Sequence, residues 1–236
     1  MDNLKQIIKE SDNIVFFGGA GMSTESGIPD FRSVDGIYSQ KYDYPPEAIL
    51  SHSFYCHRTE EFYDFYREKM LYLNAKPNKG HIKLAELEKK GKLKAIITQN
   101  IDGLHQKAGS KKVLELHGSV HRNYCTKCHK LFDAEYILKS EKIPTCDCGG
   151  TIKPDVVLYE EGLDQIILQE ASTYIRNAEV LIIGGTSLAV YPAAGLTNYY
   201  KGDKLVLINR GETAMDKKAD LVIQASIGEV LGQIEV

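Results

Sequence analysis

Four thiols fall in two tight pairs, Cys125-x2-Cys128 and Cys146-x-Cys148, with seventeen residues between the pairs. Four thiolates can surround one Zn²⁺ tetrahedrally at about 2.3 Å each. Protein then fills every coordination position, leaving none for an activated water, so the expected metal is structural. The second pair is one residue tighter than the usual C-x2-C. Cys56 stands apart in an aromatic stretch and is expected to be a packed thiol. An odd cysteine count without signal-peptide features argues for metal and thiol rather than a disulfide framework.

Other reactive groups gather after short apolar runs. Gly18-Gly19-Ala20-Gly21-Met22-Ser23 has the small residues that let backbone approach a phosphate, with a helix start expected to follow. The third glycine of G-x-G-x-x-G would fall at Thr24, so nucleotide binding and a plain tight turn are both open from this motif. Gly184-Gly185-Thr186-Ser187 repeats the signal, and two such strand exits suit a dinucleotide. Asn209 reads either as a partner for a ribose hydroxyl or as a capping residue. Residues 27–32 carry Asp30, Phe31 and Arg32 in succession. They form either a loop folding over a ligand, with Arg32 on a phosphate, or a surface loop with a local ion pair.

Thr98-Gln99-Asn100-Ile101-Asp102 also leaves a buried run. Its polar side chains suit a ligand better than a core, with Asp102 as base or ribose acceptor. His117 exits the next run, and histidine is the side chain best suited to move a proton near neutral pH. A lone histidine is usually structural; this one is set apart by the Gln-Asn-Asp group. His105 caps or packs, and His52, His57, His81, His121 and His129 receive no role.

The elements that must hold these groups are short apolar strands over 13–17, 93–98, 113–116, 179–183, 204–208 and 220–223. Helical patterns over 4–9, 80–90 and 163–177 alternate with them, which predicts a parallel sheet covered on both faces. The fold class is α/β: a Rossmann-like doubly wound parallel sheet, with a smaller domain made of a helical insert and a zinc-binding module. The expected division is 1–33, 80–118 and 151–236 for the large domain, 34–79 for the helical insert and 119–150 for the zinc module. That last segment holds too little apolar mass to order itself without metal.

The chain has 236 residues, 43% hydrophobic and 26% charged, with 29 basic and 32 acidic side chains for a net charge of −3. A length like this buries roughly 70% of the unfolded surface, so disulfides are not needed. The charge balance argues against a dedicated nucleic-acid or membrane-surface binder. No apolar run is long enough to span a bilayer and no signal peptide is evident, so a cytosolic protein is expected.

In order along nearly the whole chain, these motifs resemble the sirtuins, NAD-dependent protein deacylases, and in particular their short bacterial members of the unclassified-type group. The resemblance rests on GAGMSTESGIPDFR at 19–32, TQNIDGLHQKAG at 98–109, LHG at 116–118 and the four cysteines. It continues through KPDVVLYEE at 153–161, GGTSLAVYPAA at 184–194 and INRGET at 208–213. It implies NAD as co-substrate, one structural Zn²⁺, and acylated-lysine proteins or peptides as partners. Ala20, Thr24, Phe31 and Arg32 would line the NAD pocket. Gln99, Asn100, Ile101 and Asp102 would hold the nicotinamide and its ribose. Thr186, Ser187, Asn209, Arg210 and Ile227 would meet the adenosine half. His117 would be the general base, with Asn100 and Asp102 beside it in the catalytic set. Val157, Leu158 and Tyr159 would pair their backbone with an extended peptide.

The implied reaction removes acetyl, or another neutral acyl group, from lysine and gives nicotinamide and O-acetyl-ADP-ribose. An ADP-ribosyltransferase using the same site is the alternative enzyme; a zinc-ribbon module for nucleic acid is the alternative outside enzymology. A monomer is expected. Two departures bear on substrate choice. Glu160 replaces the glycine of the usual F-G-E, which predicts a stiffer substrate loop. Tyr63 is followed by Tyr66 where members preferring succinyl-lysine have arginine. Arg67 is rotated about 100° further round the helix. If Tyr63 and Tyr66 face the acyl channel, no cation is placed for a negative acyl group.

Overall fold

The computed structural model describes residues 1–33 and 35–235. The start of the expected insert at Val34 and the chain end at Val236 lie outside the described residues. Along the chain the strands are β1 (Ile14–Gly18), β2 (Leu93–Thr98), β3 (Val113–Glu115), β4 (Gly118–Cys125), β5 (Leu131–Phe132), β6 (Ile152–Val156), β7 (Val180–Gly184), β8 (Leu205–Asn209) and β9 (Leu221–Gln224). The helices are α1 (Asp2–Glu10), α2 (Pro46–Ile49), α3 (His52–His57), α4 (Thr59–Lys69), α5 (Lys79–Lys89), α6 (Leu104–Ala108), α7 (Ala134–Lys139), α8 (Gln165–Asn177) and α9 (Ile227–Gly232).

Six strands form one sheet in the order β3-β2-β1-β7-β8-β9. Every pairing in it is parallel. The central runs are apolar at successive positions because both faces are covered. Phe16, Ile96, Ile182 and Ile208 point into one core with Leu4, Leu84 and Leu231 from α1, α5 and α9. Their neighbours Val15, Phe17, Ile97, Ile183 and Leu207 point into the other, with Ile175 of α8 and Leu196. Local signals fix the helix starts: Asn78 and His81 form a capping box on α5, and the Asp164 side chain accepts from the first turn of α8. Lys92 closes α1, its ammonium donating to the carbonyls of Ile8, Lys9 and Ser11 at 3.2, 2.9 and 3.0 Å.

A second, antiparallel sheet runs β5-β4-β6. Phe62, Tyr63, Phe65 and Tyr66 of α4 share its core with Val120, Ile137 and Ile152. The helical insert and the cysteine-bearing hairpin are therefore packed around common side chains. β6, which the expected boundary at 150/151 places with the large domain, runs in this small sheet. Cys125 pairs with Ile152 and Tyr124 with Lys153, so its backbone groups are spent in the small sheet.

Candidate active site

The strand order reverses direction between β1 and β7, so their carboxyl ends open a crevice at the switch point. The two glycine-rich exits touch there, the Gly21 N–H donating to the Gly185 carbonyl at 2.8 Å. A Cβ on Gly21 would lie 2.9 Å from the Gly185 Cα, and Gly185 itself holds φ 60. Glycine is required at both places for this approach. The expected helix start after β1 is absent. Two 3₁₀ turns, Ala20–Met22 and Thr24–Ser26, take its place. The N–H groups of Gly21, Met22 and Ser23 are spent on Gly185, Gly19 and Ala20, so they do not form a helix-end phosphate cradle.

At the end of β2 the polar side chains interlock. Ser23, almost fully buried, donates through Oγ to Asp102 Oδ2 at 2.6 Å and accepts from Asn100 Nδ2 at 3.1 Å. Asp102 Oδ1 accepts the Leu104 N–H at 2.9 Å. Burial raises the Asp102 carboxyl above its ordinary 3.8, against the pull of these two donors. Gln99 Nε2 donates to Thr186 Oγ1 at 3.0 Å and so ties this exit to that of β7. Asn209 makes a two-way clamp: its Oδ1 accepts the Thr186 N–H at 3.0 Å, and its Nδ2 donates to the Thr186 carbonyl at 2.8 Å. Both ends of the amide are thus engaged with β7's exit.

His117 Nδ1 lies 3.0 Å from the Gln99 carbonyl oxygen. A carbonyl only accepts, so Nδ1 carries the proton and Nε2 keeps its lone pair. Burial pushes the imidazole below its ordinary 6.5, outweighing the bond to Gln99. The side chain is neutral at pH 7 and able to take a proton.

Every residue expected to bind NAD or peptide lines one cavity of about 540 Å³. Ser23, Lys69, Tyr72, Val190 and Tyr191 join them, and the sequence reading had given these no role. Phe31 packs edge-on against Tyr38, with ring centroids 5.5 Å apart, and the Arg32 guanidinium lies 5.3 Å from the centre of the same ring. Asp30 Oδ1 accepts the Ser33 N–H at 2.8 Å, which shapes this loop locally.

The expected peptide strand is already well bonded. The N–H groups of Val157, Leu158 and Tyr159 donate to His117 O, Glu161 Oε2 and Leu50 O at 3.0, 2.9 and 3.0 Å. The Tyr159 carbonyl accepts the His52 N–H at 2.9 Å. Tyr159 also lines the cavity, with its hydroxyl 2.6 Å from that of Tyr38. Glu160 adopts φ 75, the left-handed conformation that suits glycine, and its carboxylate accepts the Ser53 N–H at 2.8 Å. That bond holds the carboxyl below its usual range and pins the loop to the start of α3.

Tyr63 and Tyr66 do not face the cavity. Both are fully buried in the small-domain core, and the Tyr63 hydroxyl donates to the Ile152 carbonyl. The α4 segment reaches the cavity further on, through Lys69 and Met70. Arg67 is held elsewhere, donating to Asp64 and to the Lys142 carbonyl at 2.8 and 2.6 Å.

Cys125, Cys128, Cys146 and Cys148 bring their sulfurs within 4.8 Å of one another. The pairs Cys125–Cys148 and Cys128–Cys146 stand 3.4 and 3.6 Å apart. Sulfurs around one zinc at about 2.3 Å stand about 3.8 Å apart, so the cluster fits that ion. The Lys127 and Cys128 N–H groups donate to Cys125 Sγ at 3.4 and 3.5 Å, as suits a thiolate. Cys56, expected to be packed, is exposed. Among the described residues, no helix is long and apolar enough to cross a membrane.

A parallel sheet with two glycine exits at its switch point, a neutral histidine on the same crevice and an appended thiolate cluster defines a dinucleotide-using α/β protein. Residues 19–192 match the Sir2 family, and the chain belongs to it. An NAD-dependent protein deacetylase of Clostridium acetobutylicum is 63% identical over 235 residues, covering 98% of this chain and 96% of the relative. Among solved structures, a Sir2 variant with deacetylated p53 peptide and 3'-O-acetyl ADP ribose superposes with a TM-score of 0.90 at 44% identity, covering 98% of this chain and 95% of that one. A Sir2–p53 peptide–NAD⁺ complex gives 0.86 at 44% identity, with the same coverage of both chains.

Proposed function

We infer that this protein is an NAD-dependent protein-lysine deacetylase, which moves the acetyl group of an acetyl-lysine peptide onto ADP-ribose and releases nicotinamide. The observation that carries the reading is His117. With Nδ1 bonded to Gln99, it lines the same cavity as the glycine exits, the Gln99–Asp102 group and the 157–159 segment.

NAD supplies the ribose carbon that accepts the acyl oxygen as nicotinamide leaves. Ala20, Thr24, Phe31 and Arg32 wall its reactive part. Asn100 and Asp102, held by Ser23, orient the nicotinamide ribose. Thr186, Ser187, Arg210 and Ile227 bound the adenosine half, while Asn209 fixes the Thr186 backbone. His117 Nε2 takes a proton from a ribose hydroxyl, and Gln99 holds the ring in the tautomer that can do so. An extended peptide lies along 157–158 and is held through its own N–H groups, since those of the protein segment are spent. The four cysteines would hold Zn²⁺, which ties the hairpin together and takes no chemical part. This reading keeps the two-domain division expected from sequence, with 152–156 assigned to the small domain.

An acetylated peptide incubated with and without NAD and followed by mass spectrometry tests the reading. Loss of acetyl with matching nicotinamide and O-acetyl-ADP-ribose, only with NAD, is the expected result. ADP-ribose attached to protein, with the peptide still acetylated, would overturn it.

A further inference from the structure

One line of side chains has no part in that reaction. Cys56 Sγ lies 3.4 Å from His52 Nε2. His52 Nδ1 lies 2.8 Å from Glu161 Oε1. The other Glu161 oxygen accepts from the Leu158 N–H at 2.9 Å and from Lys153 Nζ at 3.2 Å. A nucleophile, a base and an orienting carboxylate, each within hydrogen-bond reach of the next, is the arrangement that activates a thiol. The contact with Glu161 puts the neutral imidazole's proton on Nδ1, so Nε2 is free to take the thiol proton. His52 and Cys56 are one turn apart on α3 and both exposed, so a small reagent reaches the sulfur. The other four cysteines are gathered in the metal cluster.

We propose that Cys56, with His52 as its base and Glu161 orienting that base, is a modifiable thiol whose exchange with a low-molecular-weight disulfide is transmitted to the peptide-binding segment. The thiol proton passes to His52 Nε2, and Cys56 Sγ attacks one sulfur of the reagent. A new sulfur–sulfur bond forms as the reagent's own bond breaks. The departing sulfur leaves with the electron pair and recovers the proton from His52. Cys56 is oxidised to a mixed disulfide, and half of the reagent is reduced to thiol. His52 then loses its thiol partner and has a bulky group beside it. It is the same residue that braces Glu161, and Glu161 braces Leu158. The effect therefore falls on peptide affinity rather than on the NAD side. This second half rests on the reading of 157–159 given above.

The test uses the zinc-loaded full chain and oxidised glutathione as the disulfide, with the adduct mapped by mass spectrometry and zinc content followed. The expected result is one adduct at Cys56, formed at least tenfold more slowly in His52→Gln, with zinc retained. Modified protein should show a several-fold higher KM for acetyl peptide, with kcat and the KM for NAD little changed, reversed by dithiothreitol. Cys56→Ser should match the unmodified activity and ignore the reagent. Absence of a Cys56 adduct, equal rates in His52→Gln, or an unchanged peptide KM after full modification would each overturn the proposal. A Cys56 adduct that depends on His52, in a chain unable to deacetylate when unmodified, would count against the functional reading alone.

Discussion

The Ser23 hydroxyl donates to Asp102 at 2.6 Å while accepting from Asn100 at 3.1 Å, so one small side chain sets the orientation of two that face the crevice. Ser23→Ala leaves a half-buried carboxyl and a buried amide each short of a partner. Stability is expected to fall by about 1–3 kcal/mol. The kcat/KM for acetyl peptide is expected to fall roughly 10–100-fold, since about 1.4 kcal/mol is tenfold in rate. Urea titration and steady-state kinetics on the same preparation check both. Wild-type kinetics with lowered stability would make Ser23 purely a fold residue.

Ser23 also shows where sequence reading stops. Its partners are 77 and 79 positions away, and within Gly-Gly-Ala-Gly-Met-Ser it looks like turn filler. Gln99, Asp102 and His117 were legible because polar groups directly after buried β-branched runs stand out. The central strands were legible for the complementary reason: burial on both faces leaves continuous apolar runs such as 14–17. Tyr63 and Tyr66 were misplaced because helix phase says which residues share a face, not what that face meets. Cys56 was misplaced because aromatic neighbours suggest burial, while its own position on the six-residue α3 points outward.

His117 predicts the shape of the pH profile. Its pKa lies below the ordinary 6.5 through burial, and in the proposed reaction the base form is the active one. The kcat/KM should therefore be flat around pH 7 and fall tenfold per unit below a midpoint under 6.5. His117→Ala should lose about 10²–10⁴-fold at every pH while binding NAD nearly as well. A profile still falling with the same midpoint in His117→Ala would move the base elsewhere.

A second histidine pair bears on stability. The His81 and His105 rings lie tilted against each other, centroids 4.8 Å apart, and the Phe16 ring lies 6.0 Å from that of His105. Burial lowers His81 to about 4 and His105 well below 6.5, the latter also through His81. The unfolded chain binds protons on both below about 6.5, and the folded chain does not until the pH is much lower. Stability is therefore complete above 6.5 and declines as pH falls from there towards 4, by roughly 3 kcal/mol from His81 alone. Urea midpoints at pH 7.5 and 5 should separate clearly in zinc-saturated protein. His105→Leu should show a smaller separation; an unchanged one would assign the acid sensitivity to other groups.

The cysteine hairpin should depend on metal. Zinc and the small-sheet core hold the same strands, since Cys125 ends β4 and is itself a core residue. Removing Zn²⁺ with a chelator should lower Tm and activity together, and adding it back should restore both. Activity that vanishes at unchanged Tm would make the metal a participant in the chemistry.

Acyl preference turns on Lys69. Neither Tyr63 nor Tyr66 faces the cavity and Arg67 is engaged with Asp64, so Lys69 is the cationic residue of α4 that lines it. It is already paired with Glu68 at 2.8 Å and stands 5.8 Å from the centre of the Tyr42 ring. A succinyl carboxylate entering here meets a cation whose charge is matched, and burying it without a partner costs several kcal/mol. Acetyl-lysine should therefore exceed succinyl-lysine by about 10²-fold in kcat/KM on one peptide sequence, since about 2.7 kcal/mol corresponds to that ratio. Glu68→Gln frees the ammonium and should narrow the ratio by raising the succinyl rate, with the acetyl rate nearly constant. Equal rates in the unaltered protein would show that Lys69 leaves Glu68 for the ligand, and Lys69→Ala would then lose the succinyl activity alone.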